Sequence, residues 1–134
     1  MKEFWKDIAH FAPAEFDSPD APGSGGLLMD AGFMKKVNTL RNILAAPLTV
    51  SSGYRTPEHN KQVSETGATG PHTTGRAVDF LVEGELAYKL IGLAFSCGFT
   101  GIGVSQKGPH GRRFVHLDDL TAADGFPRPR VWSY

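Results

Sequence analysis

Two histidines and one aspartate stand where polar side chains need an explanation. His72 and Asp79 lie in the segment GPHTTGRAVDF with six residues between them, and Asp79 falls within an apolar run. His116 lies in the later segment RRFVHLDD. A buried, ionised carboxylate is costly unless it is paired or bound to a metal. Two imidazoles and one carboxylate form a donor set that suits zinc and leaves a fourth position for water.

A plainer interpretation of these residues stays open on spacing alone. A histidine in a Gly- and Thr-rich loop is commonly a surface residue, and an aspartate in a strand is commonly hydrogen-bonded. The spacing His-x6-Asp is also far less specific than two histidines one helical turn apart. A metal site requires that the loop carrying His72 and the strands carrying Asp79 and His116 come together.

The elements that would position these residues follow from the pattern of apolar residues. Side chains alternate along the last strand, so Phe114, His116 and Asp118 share one face and Val115 and Leu117 the other. Thr56 and Pro57 are typical of an N-cap and a first helical position. The sequence predicts, in order, a loop at residues 18–26, a helix from Met29 to about Leu44, a strand at 48–52, a helix from Pro57, a loop at 66–75, a strand at 76–82, a helix at 84–98, two strands at 100–105 and 112–119, and an irregular tail at 125–134.

This succession predicts an α+β fold with a small, mostly antiparallel sheet flanked by helices. A length of 134 residues fits one domain, in which residues 1–26 form an aromatic segment and a loop packed on the body. We expect the aromatic residues of the tail to cover the core rather than to contact a partner.

Charge and hydropathy exclude some functions. The formal net charge is zero, which argues against nucleic acid as a partner. The N-terminus carries charges throughout and has no apolar stretch typical of a signal peptide or a membrane span. We therefore expect a protein that is made in the cytoplasm and does not bind a membrane, and we expect it to be a monomer.

Three motifs resemble those of the zinc D-Ala-D-Ala carboxypeptidase family, which shares a fold with the hedgehog signalling domain. SSGYRT fits the family's S-G-[YF]-R, GPHTTGRAVDF fits S-x-H-x-x-G-x-A-x-D, and FVHLD fits [FV]-x-H-x-D. Their order and separations fit from about Phe11 to the C-terminus, as in short single-domain members from phages and bacteria. One departure is Gly70, which replaces the family's Ser at a loop position.

The resemblance implies a zinc metallopeptidase that hydrolyses peptidoglycan stem peptides near D-Ala. It would act as a D,D- or L,D-carboxypeptidase or as an endolysin-type endopeptidase, with zinc-bound water as the nucleophile. The resemblance also implies action in the periplasm or cell wall after release of the kind that phages use. The resemblance also implies one zinc ion per chain, held by His72, Asp79 and His116. Arg55 matches the family arginine that binds the substrate carboxylate or stabilises the oxyanion, and a guanidinium group suits both tasks. Ser52 and Tyr54 of the same motif are assigned to substrate binding with Arg55.

The motifs leave the general base unidentified. Several relatives place a glutamate three residues before the last histidine, but this chain has Arg113 there, which cannot accept a proton. His110 and Asp118 remain, and we expect His110 to act in catalysis and Asp118 to orient a ligand. The missing glutamate keeps open a zinc-fold binding module without turnover. A structural component associated with a phage tail is a second alternative, which does not depend on that glutamate.

Overall fold

A five-stranded sheet and four α-helices make up the fold. This computed structural model describes all residues from Met1 to Tyr134. The strands are β1 (Thr49–Ser52), β2 (Ala77–Leu81), β3 (Gly101–Ser105), β4 (Phe114–Asp118) and β5 (Arg130–Ser133). The helices are α1 (Ser24–Leu28), α2 (Ala31–Leu44), α3 (Pro57–Val63) and α4 (Gly84–Ser96).

The strands lie in the order β1-β2-β4-β3-β5. The β1–β2, β2–β4 and β4–β3 pairs are antiparallel, and only the β3–β5 pair is parallel. The α+β class and the mostly antiparallel sheet are therefore confirmed. None of the helices is both long and apolar enough to cross a lipid bilayer.

One face of the sheet carries the hydrophobic core. Val78 and Phe80 of β2 and Val115 and Leu117 of β4 are buried in the same cluster as the apolar faces of α2 and α4. The N-terminal segment also contributes buried aromatic side chains to this cluster, namely Trp5, Phe11 and Phe16. The core occupies one set of alternating strand positions, which leaves the other set for polar side chains.

Side-chain caps set the starts of two helices, and the sequence correctly predicts one of them, that of α3. The Thr56 hydroxyl accepts a hydrogen bond from the His59 N–H at 3.1 Å, with Pro57 at the first helical position of α3. Asp30 caps α2 in the same way, accepting from the Phe33 N–H at 2.9 Å. This cap explains why α2 begins at Ala31, two residues after the predicted start.

The predicted loop at residues 18–26 is wrong at its C-terminal end, where α1 begins at Ser24. The Asp17 carboxylate accepts hydrogen bonds from the N–H groups of Gly23 and Gly25 at 2.9 and 2.8 Å. These bonds satisfy donors at the start of a helix that the glycine-rich sequence disfavours. Within the predicted loop 66–75, Pro71–Thr74 form a 3₁₀ turn.

The predicted irregular tail is also wrong, because Arg130–Ser133 form β5 at the edge of the sheet. Pro129 stands directly before the strand, at a position where a sheet tolerates proline. The strand pairs with β3, and a sequence pattern of four residues does not specify such a partner.

Candidate metal centre

The polar face of the sheet is organised in rows that run across the strands. In one row, Ser52, Asp79, His116, Gly103 and Trp132 are successive pairing partners from β1 to β5. A shift of register between Val50 and Ser52 brings Ser52 opposite Asp79. Pairing between β2 and β4 therefore places two of the three predicted ligands side by side.

His72 reaches this row from the 3₁₀ turn between α3 and β2. Gly75 ends the turn at φ +75°, in the left-handed region that favours glycine. A Cβ atom there would also collide with the Leu28 carbonyl oxygen. Glycine at position 75 therefore lets the loop turn back so that His72 faces Asp79.

His72, Asp79 and His116 converge as predicted. The Asp79 Oδ1 atom lies 3.2 Å from His72 Nε2 and 2.9 Å from His116 Nδ1. One potential ligand atom from each residue lies within 4.8 Å of the other two, and all three residues are buried. Exposure of only 4%, 7% and 2% excludes the plainer interpretation of His72 as a surface residue.

The second nitrogen of each imidazole has its own partner. His72 Nδ1 lies 2.8 Å from the Gly53 carbonyl oxygen, which can only accept, so this nitrogen carries the proton. His116 Nε2 lies 2.7 Å from Asp118 Oδ2. Ligating histidines typically have such partners, which fix the tautomer and leave the other nitrogen free for a metal. Asp118 thus contacts a candidate ligand, and its supporting role stays a prediction.

Buried charges in this cluster shift the pKa values of its members. Burial alone raises the pKa of Asp79, but the imidazoles of His72 and His116 outweigh it and hold the pKa well below its usual range. Burial alone lowers the pKa of His116, but hydrogen bonds to Asp118 and Asp79 raise it to about 8. The Asp118 pKa falls to about 2 despite burial, because His116 and Arg128 stabilise the carboxylate. Metal-free protein therefore holds His116 as a cation between two carboxylates.

Arg55 borders the same cavity beside Asp79. Its three guanidinium nitrogens donate to Ser52 Oγ at 2.9 Å, Asn60 Oδ1 at 3.1 Å and Asp79 Oδ2 at 3.5 Å. A guanidinium has five N–H groups, so these contacts fix its plane and leave donors for another ligand. Ser52 and Arg55 both belong to the predicted substrate-binding group, and their side chains are in direct contact.

A cavity of about 480 Å³ opens over the three candidate ligands. Its walls carry aromatic and cationic side chains, including Phe114, Phe126, Arg130, Trp132 and Tyr134. A larger, apolar groove of about 730 Å³ lies between α2 and α4 and holds no set of metal ligands. The chemistry therefore belongs to the smaller cavity.

Three predicted substrate-binding or catalytic residues, Ser52, Tyr54 and His110, do not line this cavity. Ser52 contacts it only through Arg55. Tyr54 is partly buried against the core and is not among the residues that line the cavity. His110 lies exposed in the 3₁₀ turn His110–Arg112, with Nδ1 2.7 Å from Glu83 Oε1, and does not line the cavity either. Arg113 donates to the Gly108 carbonyl oxygen in the same turn. Their roles in the reaction stay predictions.

Sequence reasoning missed Arg128 and Trp132. Arg128 donates to both oxygens of Asp118, at 2.9 and 2.8 Å, and Trp132 packs against His116 with 5.2 Å between ring centroids. Trp132 therefore faces the candidate site, contrary to the prediction that the aromatic residues of the tail cover the core. A signal existed for Arg128, because an aspartate on a buried strand requires a cation or several donors nearby.

The donor set fits zinc. His72 Nε2, His116 Nδ1 and an Asp79 oxygen are two imidazole nitrogens and one carboxylate oxygen, which catalytic zinc sites use with a fourth, open position. The adjoining cavity leaves space for that position. Fold and site together define the class, a protein with a candidate histidine–aspartate–histidine metal centre on a mostly antiparallel sheet.

Comparison with family models gives the particular family. Residues 9–118, which make up most of the chain, match the family model described as Peptidase M15. The chain therefore belongs to the Peptidase M15 family, whose members are zinc-dependent metallopeptidases. This confirms the family that the three motifs resemble. A search of curated proteins finds no match.

Proposed function

We propose that this protein hydrolyses peptidoglycan stem peptides near D-Ala, as a D,D- or L,D-carboxypeptidase or an endolysin-type endopeptidase. The observation that carries the proposal is the convergence of His72, Asp79 and His116 beneath an open cavity in a chain of the M15 family. The motif resemblance supplies the substrate class, and the cavity supports a peptide rather than a deeply enclosed small molecule.

Zinc held by His72, Asp79 and His116 would supply a Lewis acid that polarises a peptide carbonyl and activates water. Arg55 is fixed beside Asp79 by Ser52 and Asn60, and its remaining donors can neutralise a negatively charged oxygen of the substrate. In a carboxypeptidase this oxygen belongs to the C-terminal carboxylate or to the oxyanion that develops at the scissile carbonyl.

The far wall of the cavity can hold the rest of the peptide. Trp132, Tyr134 and Phe114 form adjacent aromatic contacts, with ring centroids 5.0 Å apart for Phe114 and Tyr134 and 6.4 Å apart for Trp132 and Tyr134. The exposed Arg130 guanidinium lies 5.4 Å from the Trp132 ring centroid. This wall suits the methyl groups and free carboxylates of a stem peptide.

The deciding experiment is mass spectrometry of purified muropeptides after incubation with zinc-loaded protein. The proposal predicts loss of one terminal D-Ala or cleavage of a cross-link, and either product identifies the bond. A metal-free sample and a His72→Ala variant are the controls, since the first lacks the ion, the second lacks one candidate ligand, and both retain the aromatic wall of the cavity. Intact muropeptides of every type tested, with zinc bound, would contradict the proposal.

A binding module without turnover is the second candidate function. One observation favours it: the residue three positions before His116 is Arg113, and His110 is paired with Glu83 outside the cavity. A module of this kind would retain muropeptides on an affinity column and release no product. The muropeptide experiment separates the two functions when binding and product release are both measured.

A further inference from the structure

We propose that Arg128 is a positioning residue for the metal centre. It holds Asp118, and Asp118 holds the ring of His116 so that Nδ1 faces the metal position. Arg128 lies outside residues 9–118, which match the family model. The proposal concerns metal binding alone, so it stands or falls independently of the substrate.

The contacts form a continuous chain from the C-terminal segment to the ligand. Arg128 Nε and a terminal nitrogen donate to Asp118 Oδ1 and Oδ2 at 2.9 and 2.8 Å, a bidentate, charge-assisted pair. Oδ2 is also the atom that meets His116 Nε2 at 2.7 Å. The three side chains are nearly inaccessible to solvent, at 4%, 0% and 3% exposure.

Arg128 restricts the orientation of the Asp118 carboxylate. Apart from Arg128 and His116, this carboxylate accepts one longer bond, from the Leu120 N–H to Oδ1 at 3.3 Å. A carboxylate held at both oxygens cannot rotate away from the imidazole. Because a flip of the His116 ring would break its Nε2 bond to Asp118, the arginine also fixes which ring nitrogen faces Asp79 and His72.

The neighbouring strand leaves room for this arrangement. Gly101 is the β3 partner of Asp118, and a Cβ atom there would overlap the Asp118 carboxylate. Gly103 is the β3 partner of His116, and a Cβ atom there would come within 2.7 Å of the Trp132 indole. The Trp132 ring contacts both Arg128 and His116. Its centroid lies 4.9 Å from the Arg128 guanidinium carbon and 5.2 Å from the His116 ring centroid.

The competing explanation is an ion pair that stabilises the fold without affecting the ligand. The chain offers a matched control in Arg76, whose guanidinium donates to the Asp119 side chain at 2.8 Å and to its carbonyl oxygen at 2.7 Å. Asp119 is also buried, but its partners are Arg76 and Lys36 rather than a candidate ligand. A purely structural role predicts similar behaviour of the two arginine variants.

The test measures zinc affinity by chelator competition for wild type, Arg128→Ala, Arg128→Lys and Arg76→Ala, with thermal unfolding recorded in parallel. We expect Arg128→Ala to weaken zinc binding about 10- to 100-fold, the usual effect of removing a partner behind a ligating histidine. Zinc binding by the Arg128→Lys variant should be weakened several-fold, because an ammonium group cannot hold both carboxylate oxygens. Arg76→Ala should lose stability while keeping zinc affinity within about twofold of wild type.

Two results would overturn the proposal. One is folded Arg128→Ala protein that binds zinc within about twofold of wild type. The other is an Arg76→Ala variant whose zinc affinity falls as far as that of Arg128→Ala. If Arg128→Ala does not fold, Arg128→Lys decides: weakened zinc binding supports the positioning role, and wild-type affinity overturns it.

Discussion

At the scale of single residues, Asp79 is the side chain that connects the two candidate histidine ligands with Arg55. Its Oδ1 atom meets both imidazoles, and its Oδ2 atom meets Arg55. A carboxylate in this position holds three other side chains in one arrangement before any metal binds. The metal-free site is thus an ion-paired cluster, and zinc would replace the protons that now hold it together.

The first prediction concerns the pH dependence of metal-free protein. The pKa of His116 is raised from 6.5 to about 8, so its protonation favours the folded state at low pH. This contribution is complete below about pH 6.5 and is lost as the pH rises through 8. We therefore expect the melting temperature of chelator-treated protein to fall between pH 6.5 and 8.5.

Two variants test the assignment of this pH effect to His116. His116→Gln should remove the fall, whereas His10→Gln should retain it because His10 is exposed. A melting temperature that is constant or rises over this range in metal-free wild type would refute the assignment.

A second prediction at this scale concerns His110. If His110 moves a proton in the reaction, its ring must leave Glu83, to which it is bound at 2.7 Å. The sequence-based prediction is that His110→Ala lowers the rate of muropeptide cleavage about 100-fold and leaves the zinc content unchanged. Equal rates for His110→Ala and wild type would remove His110 from the mechanism.

At the scale of elements, the glycines of strand β3 reflect the close approach of side chains from the two neighbouring strands. Its two glycines leave space for a carboxylate from β4 and an indole from β5. Glycine weakens a strand interior, so its presence here reflects the close approach of neighbouring side chains. The two glycines thus lower the stability of β3 and leave space for Asp118 and Trp132, whose side chains contact His116.

Replacing one glycine tests this explanation. We expect Gly101→Ala to lower the free energy of unfolding by about 1–3 kcal/mol, because the added methyl group must displace the Asp118 carboxylate. The matched control is Gly92→Ala in α4, where nothing lies within 4 Å of an added Cβ. That variant should be stabilised by about 0.5–1 kcal/mol through helix propensity. Chemical denaturation measures both, and equal effects of the two substitutions would contradict the explanation.

At the scale of the whole molecule, the candidate ligands come from three separate segments. His72 lies in a turn after α3, Asp79 in β2 and His116 in β4, and Arg128 follows still later in the chain. The ligands assemble only when the sheet forms, so metal binding must be coupled to folding.

This coupling predicts a large effect of zinc on thermal stability. With free zinc at about 100 times its dissociation constant, the free energy of unfolding should rise by about 2.7 kcal/mol. For a chain of this length, the melting temperature should increase by roughly 10 °C. His72→Ala should lose most of this increase and His10→Ala should keep it. An unchanged melting temperature of wild type in zinc would count against the metal site.

Some features of this protein are determined by the sequence alone, because their causes lie within a few residues. The Thr56 cap, the apolar face of α2 and the alternation along β4 are local patterns, and they correctly predict elements and faces. The choice of His72, Asp79 and His116 as candidate ligands also follows from the sequence, through their residue types and through motifs that resemble those of the family.

Tertiary structure decides the rest, because it depends on how distant segments meet. The register of β2 against β4 sets the 2.9 Å contact between Asp79 and His116, which are 37 residues apart. The C-terminal tail has no clear sequence pattern, but its pairing with β3 makes it strand β5, which carries Trp132 in the cavity wall. Arg128 lies two residues before this strand. His110 contacts Glu83 and lies outside the cavity despite its nearness to His116 in sequence. The sequence thus determines which groups can bind a metal, and the packing of the strands decides which groups support them.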